Sequence, residues 1–124
     1  MSKHPIVHVE ISAKDRKESA EFYSKVFGWQ MNHIDEMSYT TFATGENEVG
    51  GGLNPVTEEN PVGTVLVYIG TDDIEGTLAE IEAHGGQLVA PKHEIPGMGW
   101  FAVFKDPTGN VMALYKDMGM TNNE

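Results

Sequence analysis

At 124 residues the chain is long enough for one domain with a real core and too short for two independent ones. It contains no cysteine, which excludes disulfides, thiolate catalysis and Cys-based metal centres together. Eight basic residues against nineteen acidic ones give a formal net charge of −11, with no Lys/Arg cluster to offset it, so nucleic acid is repelled; the charge serves solubility, or more sharply attracts a cationic ligand.

Residues 6–12 alternate Val7, Val9 and Ile11 with His8, Glu10 and Ser12, which predicts a strand with one aliphatic face and one polar face. Asp15 is placed to cap a helix, with Glu18 where a capping box wants an acid. Phe22, Tyr23, Val26 and Phe27 recur at helical spacing as its apolar side, Arg16 and Lys17 lie on the other, and Gly28 supplies the stop. Residues 30–37 then read as a partly exposed strand, 38–44 as a second strand, 45–48 as a hairpin turn and 49–54, VGGGLN, as the returning strand. Three glycines inside a strand are costly unless the backbone bends or something approaches it closely. They are not a phosphate loop, since no helix pattern and no Lys-Ser/Thr pair follows.

Residues 55–61, PVTEENP, read as a linker. The grammar then returns at an offset of 58, Val7 to Val65, Ile11 to Ile69, Asp15 to Asp73 and Gly28 to Gly86. The second strand alternates Val65, Val67 and Ile69 with Leu66, Tyr68 and Gly70. The second helix has Asp72 or Asp73 as cap, Ile74, Leu78 and Ile81 as its stripe and Gly85-Gly86 as terminator. Residues 87–90 repeat the short strand, 91–98 form a loop carrying His93 and Glu94, 99–105 are an aromatic strand, 106–110 a turn and 111–115 the last strand, with fraying from 118 onward. The chain is an internal duplication of a βαβββ unit, α+β in class, with unit one at about 5–55, a linker at 56–62 and unit two at about 63–117 of a single domain.

A duplicated βαβββ unit with FYSKVFGW at the end of its first helix and DPTGNVMALY at its close resembles the vicinal oxygen chelate superfamily, the group of glyoxalase I, bleomycin resistance proteins and extradiol dioxygenases. The run GGGL and the stretch PGMGWFAVFKDPTGN are similar to its small bacterial glyoxalase-related branch. The resemblance implies a cupped mixed sheet with helices outside, a cavity for a small molecule and a paired homodimer. It also implies four metal-ligand positions, at the first and last strand of each unit, which fall on His8, Gly52, Leu66 and Ala113. Only His8 has a donor atom, and a divalent ion needs about three. The expectation is therefore no metal and no other cofactor.

On this reading His8 and Glu10 face the cavity together, as a catalytic pair or as groups that hold a ligand, with His8 partly or wholly protonated by the nearby acid. The bland alternatives are a satisfied strand histidine and a rim carboxylate. Tyr39, Tyr68, Trp100 and Tyr115 are the candidate ligand contacts, set against the prior that strand aromatics are mostly core. His4, His33 and His84 have no partner at metal-ligand spacing and read as surface residues. No apolar run approaches the ~20 residues of a membrane helix, and residues 1–10 carry no apolar signal region, so a cytoplasmic location is expected. Three functions compete. They are an enzyme acting on a small molecule without metal, a protein that sequesters such a ligand, and an interaction module whose cavity has filled with side chains.

Overall fold

The computed structural model describes residues 4–118. Along the chain run β1 (Ile6–Ala13), α1 (Arg16–Phe27), β2 (Gln30–Ile34), a 3-10 turn (Asp35–Met37), β3 (Tyr39–Ala43) and β4 (Gly50–Pro55). The pattern repeats as β5 (Val65–Gly70), α2 (Ile74–Ala83), β6 (Gln87–Ile95), β7 (Gly99–Lys105) and β8 (Val111–Asp117). Two βαβββ copies of α+β class are therefore present. The described residues fall into two compact units, His8–Leu66 and a second made of 4–7 with 67–118. The fraying expected at the C-terminus lies, from 119 on, outside the described residues.

In the His8–Leu66 unit the strand order is β2-β3-β4-β1, with β1 and β4 parallel and the other neighbours antiparallel. Asp15 caps α1 by accepting from the amides of Lys17 and Glu18, and Gly28 ends it at φ 75°, a left-handed position that suits glycine. The buried core is Ala13, Ala20, Phe42 and Leu53, with Ile11, Tyr23, Trp29 and Met31 against it. Tyr23, Trp29 and Phe42 form a continuous stack, at 5.2 and 4.7 Å between ring centres.

The helix face differs from the expected stripe. Ala20 and Tyr23 turn to the sheet, while Phe22, Val26 and Phe27 remain 56%, 57% and 58% exposed. A small alanine marks the closest approach of α1, and the larger side chains flank that contact line. Arg16, expected on the outer side, folds back instead, donating at 2.9 Å to the Oγ1 of fully buried Thr40 and pairing with Asp35 at 3.2 Å. The Arg16 hydrogen bond, then the charge of Lys17, hold the Asp35 carboxyl below its usual range. His33 is likewise no free surface group, because its Nδ1 lies 2.7 Å from the same Thr40 hydroxyl.

The second unit orders its strands β5-β8-β7-β6, with β5 and β8 parallel. Asp73 caps α2 through the amide of Gly76, and Ile74, Leu78 and Ile81 pack with Ala102, Phe104, Leu114, Ile69 and Met112. The N-terminal residues belong here, since the Gly70 amide donates to Pro5 O at 2.8 Å and His4 Nδ1 lies 3.2 Å from Gly70 O. β6 runs through Pro91 to Ile95, where a short strand and a loop were expected. It is an edge strand with register shifts on either side of Ala90, the setting in which a proline without an N–H is tolerated. In the turn after β7, the Asp106 carboxylate accepts from the Gly109 and Asn110 amides, and the Asn110 side chain leads the contacts that hold it below the ordinary carboxylate range.

Candidate functional site

The strand register sorts each sheet into a helix side and an outer side. In the first unit Ile11, Leu53 and Phe42 lie under α1, so their neighbours in alternation, His8, Glu10, Gly52, Asn54, Tyr39 and Thr41, share the other face. Three of the sequence-derived candidates meet there. Tyr39 Oη lies 2.8 Å from His8 Nε2 and donates at 2.8 Å to Glu10 Oε2. The other carboxylate oxygen of Glu10 accepts from Asn54 Nδ2 at 3.3 Å. Asn54 was not foreseen; its backbone oxygen and that of Pro55 take the Asn60 side chain, which ties the supposed linker to the end of β4.

Local sequence explains this convergence. On β4, Gly52 sits opposite Glu10 of β1 and opposite Thr41 of β3. A Cβ at Gly52 would run into the hydroxyl and ring of Tyr39. The absent side chain makes the space in which the phenol reaches across from β3. A Cβ at Gly51 would instead run into the carbonyl of Val9 and come within 2.6 Å of Phe42 Cζ, and one at Gly50 would come within 2.5 Å of Phe42 O. The glycine run is therefore a close-approach device.

Charge differs from expectation as well. His8 was expected to be protonated through Glu10, but the Tyr39 hydroxyl stands between them and burial pushes the imidazole pKa below 6.5. The neutral ring is favoured at neutral pH. Because the folded value is lowered, the unfolded chain takes up a proton first as pH falls. His8 then adds no pH slope well above 6.5 and costs stability as pH falls from there through the lower folded value. The melting temperature should thus drop more steeply below about pH 6.5 in the native protein than in His8→Asn. Equal slopes by calorimetry would contradict this assignment.

In the second unit Tyr68 pairs in register with Ala113, and Phe101 with Tyr115, on the face away from α2. Tyr115 Oη donates to Met98 O at 3.2 Å, and burial, with the charge of Asp117 behind it, raises its phenol pKa above 10.0. It stays a neutral donor. Trp100 does not join them. It packs on the α2 side against the buried cluster of Ile74, Ala102, Phe104 and Leu114, and Lys92 and Lys116 hold their ammonium groups 5.3 and 5.6 Å from its ring centre. The aromatic on the same face as Tyr115 is Phe101, with His93 at 5.6 Å between ring centres. Both residues of the Trp100-Phe101 pair are apolar, so composition alone left the phase of β7 open.

The four positions at which the metal enzymes of the resembling family carry ligands do not fit a divalent ion here. His8 offers one nitrogen, committed toward Tyr39. At Gly52 the space of a ligand side chain is filled by Tyr39, Leu66 is apolar, and Ala113 is fully buried without a donor. Among the described residues no group of three or more His, Asp or Glu side chains is placed to hold a metal.

A Mycobacterium tuberculosis protein described as a putative glyoxylase is 34% identical over 98 residues, covering 77% of this chain. This chain spans only 37% of that relative's length. A probable lactoylglutathione lyase of Vibrio parahaemolyticus is 30% identical over 129 residues, with 94% of each chain covered. In fold, a hypothetical protein of Bacillus halodurans superposes with a TM-score of 0.73 over 98% of this chain and 100% of its own, at 17% identity. The family model of the Glyoxalase/Bleomycin resistance protein/Dioxygenase superfamily matches residues 5–114, and with that match and two βαβββ units in hand the chain belongs to this superfamily.

Proposed function

We infer that this chain is a glyoxalase-related protein that binds a small organic molecule on the His8/Glu10 face of its first unit and handles it without the family's divalent ion. One observation carries the reading. Tyr39 fills the space at Gly52 and joins His8 to Glu10, so a polar chain occupies the two first-unit positions, His8 and Gly52, that align with metal ligands of the family. Such a chain holds a charge in place through donors, as an unpaired carboxylate on a strand face would not be tolerated. Within the second unit taken by itself, Tyr68 and Tyr115, on the face away from α2, are candidate ligand contacts. The probable lactoylglutathione lyase that covers the chain nearly end to end supports small-molecule chemistry rather than a macromolecular partner.

A second reading, sequestration without reaction, is favoured by the charge of −11, which suits a cationic guest. A thermal-shift screen of small carbonyl compounds and organic cations, followed by calorimetry across about pH 5–9, tests both. Glu10→Gln and His8→Asn should each weaken a hit by about tenfold or more, near the worth of a charged hydrogen bond, without unfolding the protein. Unchanged affinity in both variants removes the pair from the site, and a hit that is never consumed in long incubations favours sequestration.

A homodimer and a cytoplasmic location belong to the same reading. Exposed Phe22, Val26, Phe27, Val62 and Val65 provide apolar surface for association. Light scattering at micromolar concentration should return twice the 13.6 kDa chain mass, and a monomer would count against it.

A further inference from the structure

We propose that Arg16, on the helix side of the first unit, is the positioning residue that sets Tyr39 into the space at Gly52 on the opposite face. The face it serves rests on the small-molecule reading above, and Arg16 acts on it only through Tyr39. Tyr39 needs such support because of where it stands. It opens β3 and pairs with Ile34 across the hairpin, whereas β3 pairs with β4 over residues 40–42. The phenol therefore reaches Gly52 from the end of its strand, and the turn before it sets its direction. In that turn Asp35–Met37 closes with the Ser38 amide donating to Asp35 O at 3.0 Å. Ser38 sits at φ 51° and ψ 48°, a left-handed conformation that a residue with a side chain adopts at a cost.

Arg16 grips the chain on both sides of Tyr39. Its Nη2 meets Asp35 Oδ1 at 3.2 Å, and its Nη1 donates to Thr40 Oγ1 at 2.9 Å. One planar guanidinium supplies both directions, which the single ammonium of lysine does not reproduce. The Thr40 end is fixed further. Its fully buried hydroxyl accepts from Arg16, which leaves its one proton for His33 Nδ1 at 2.7 Å. Alternation along β3 then turns Tyr39 to the far face, where its hydroxyl meets His8 and Glu10. Lys17 shares the Asp35 carboxylate at 3.4 Å, so it adds charge on one side of the turn alone.

Proton NMR of the full chain, isotopically labelled at tyrosine and glycine, tests this without a ligand through the NOE between the Tyr39 ring protons and Gly52 Hα. The native protein should show that NOE, because the ring stands where a Cβ of Gly52 would be. Arg16→Lys, with folding checked by its amide spectrum, should lose it, and Lys17→Ala should keep it at native strength. Should Arg16→Lys fail to fold, Asp35→Asn decides in its place, since that carboxylate is exposed and the NOE should weaken there too. A native NOE in folded Arg16→Lys or in Asp35→Asn overturns the role of Arg16. So does its absence from the native protein, or an equal loss in Lys17→Ala. The small-molecule reading is decided separately, by binding to Glu10→Gln and His8→Asn.

Discussion

Gly51→Ala is expected to lower the melting temperature by several degrees, although replacing glycine in a strand usually helps. In open space the change would add roughly 0.4–1 kcal/mol by restricting the unfolded chain. Here the new Cβ meets the carbonyl of Val9 across the β1–β4 pair, with Phe42 Cζ 2.6 Å away on the other side. Backbone oxygen in a paired strand cannot step aside, so overpacking of about 1–3 kcal/mol or more wins. At about 4 °C per kcal/mol for a chain of this size, scanning calorimetry should resolve the loss. Gly52→Ala makes the instructive contrast. Its Cβ meets the Tyr39 hydroxyl and ring, whose far end can swing away, so stability should fall less while the link between His8 and Glu10 is broken. A Gly51→Ala protein at least as stable as the native one would refute the close-approach account of the glycine run.

That run shows where legibility in the sequence ends. Alternation on β1, the Asp15 and Asp73 caps and the Gly28 stop carry local physics, so the two βαβββ copies and the shared face of His8 and Glu10 were readable. The cost of three strand glycines signalled a close approach. What approaches Gly52 comes from Tyr39, thirteen residues earlier on β3, and only the β3–β4 register brings it there. The neutral state of His8 was hidden for the same reason, since proximity of His8 to Glu10 along the strand argues for a charged pair and the interposed phenol with burial argues against it.

On α1, size misled. Phe22 and Val26 dominate any apolar count, yet the helix touches the sheet through Ala20 and Tyr23, because the closest contact line selects the smallest side chain. On β7 a one-residue ambiguity of phase exchanged Trp100 for Phe101. Arg16 and His33 were read as surface groups because nothing local announces that Thr40, buried on the helix side, needs both.

The second large effect expected is on metal affinity. Metal enzymes of this fold rely on several protein donors, and each lost donor is costly, because a divalent ion must exchange its water shell for ligands of matching geometry. In this chain one donor remains at the four positions, and Tyr39 stands in the space of a second. Restoring a carboxylate by Gly52→Glu should therefore displace Tyr39 and disturb the site without creating a metal centre, since Leu66 and Ala113 still contribute no donor.

The most direct measurement is elemental analysis of untagged protein, dialysed against an equimolar mixture of zinc, nickel, manganese and iron(II) and then desalted. Far less than one ion of any of them per chain is expected, in the native protein and in Tyr39→Phe alike. One tightly held ion per native chain, lost in His8→Asn, would contradict it and return this site to the metal chemistry of its family.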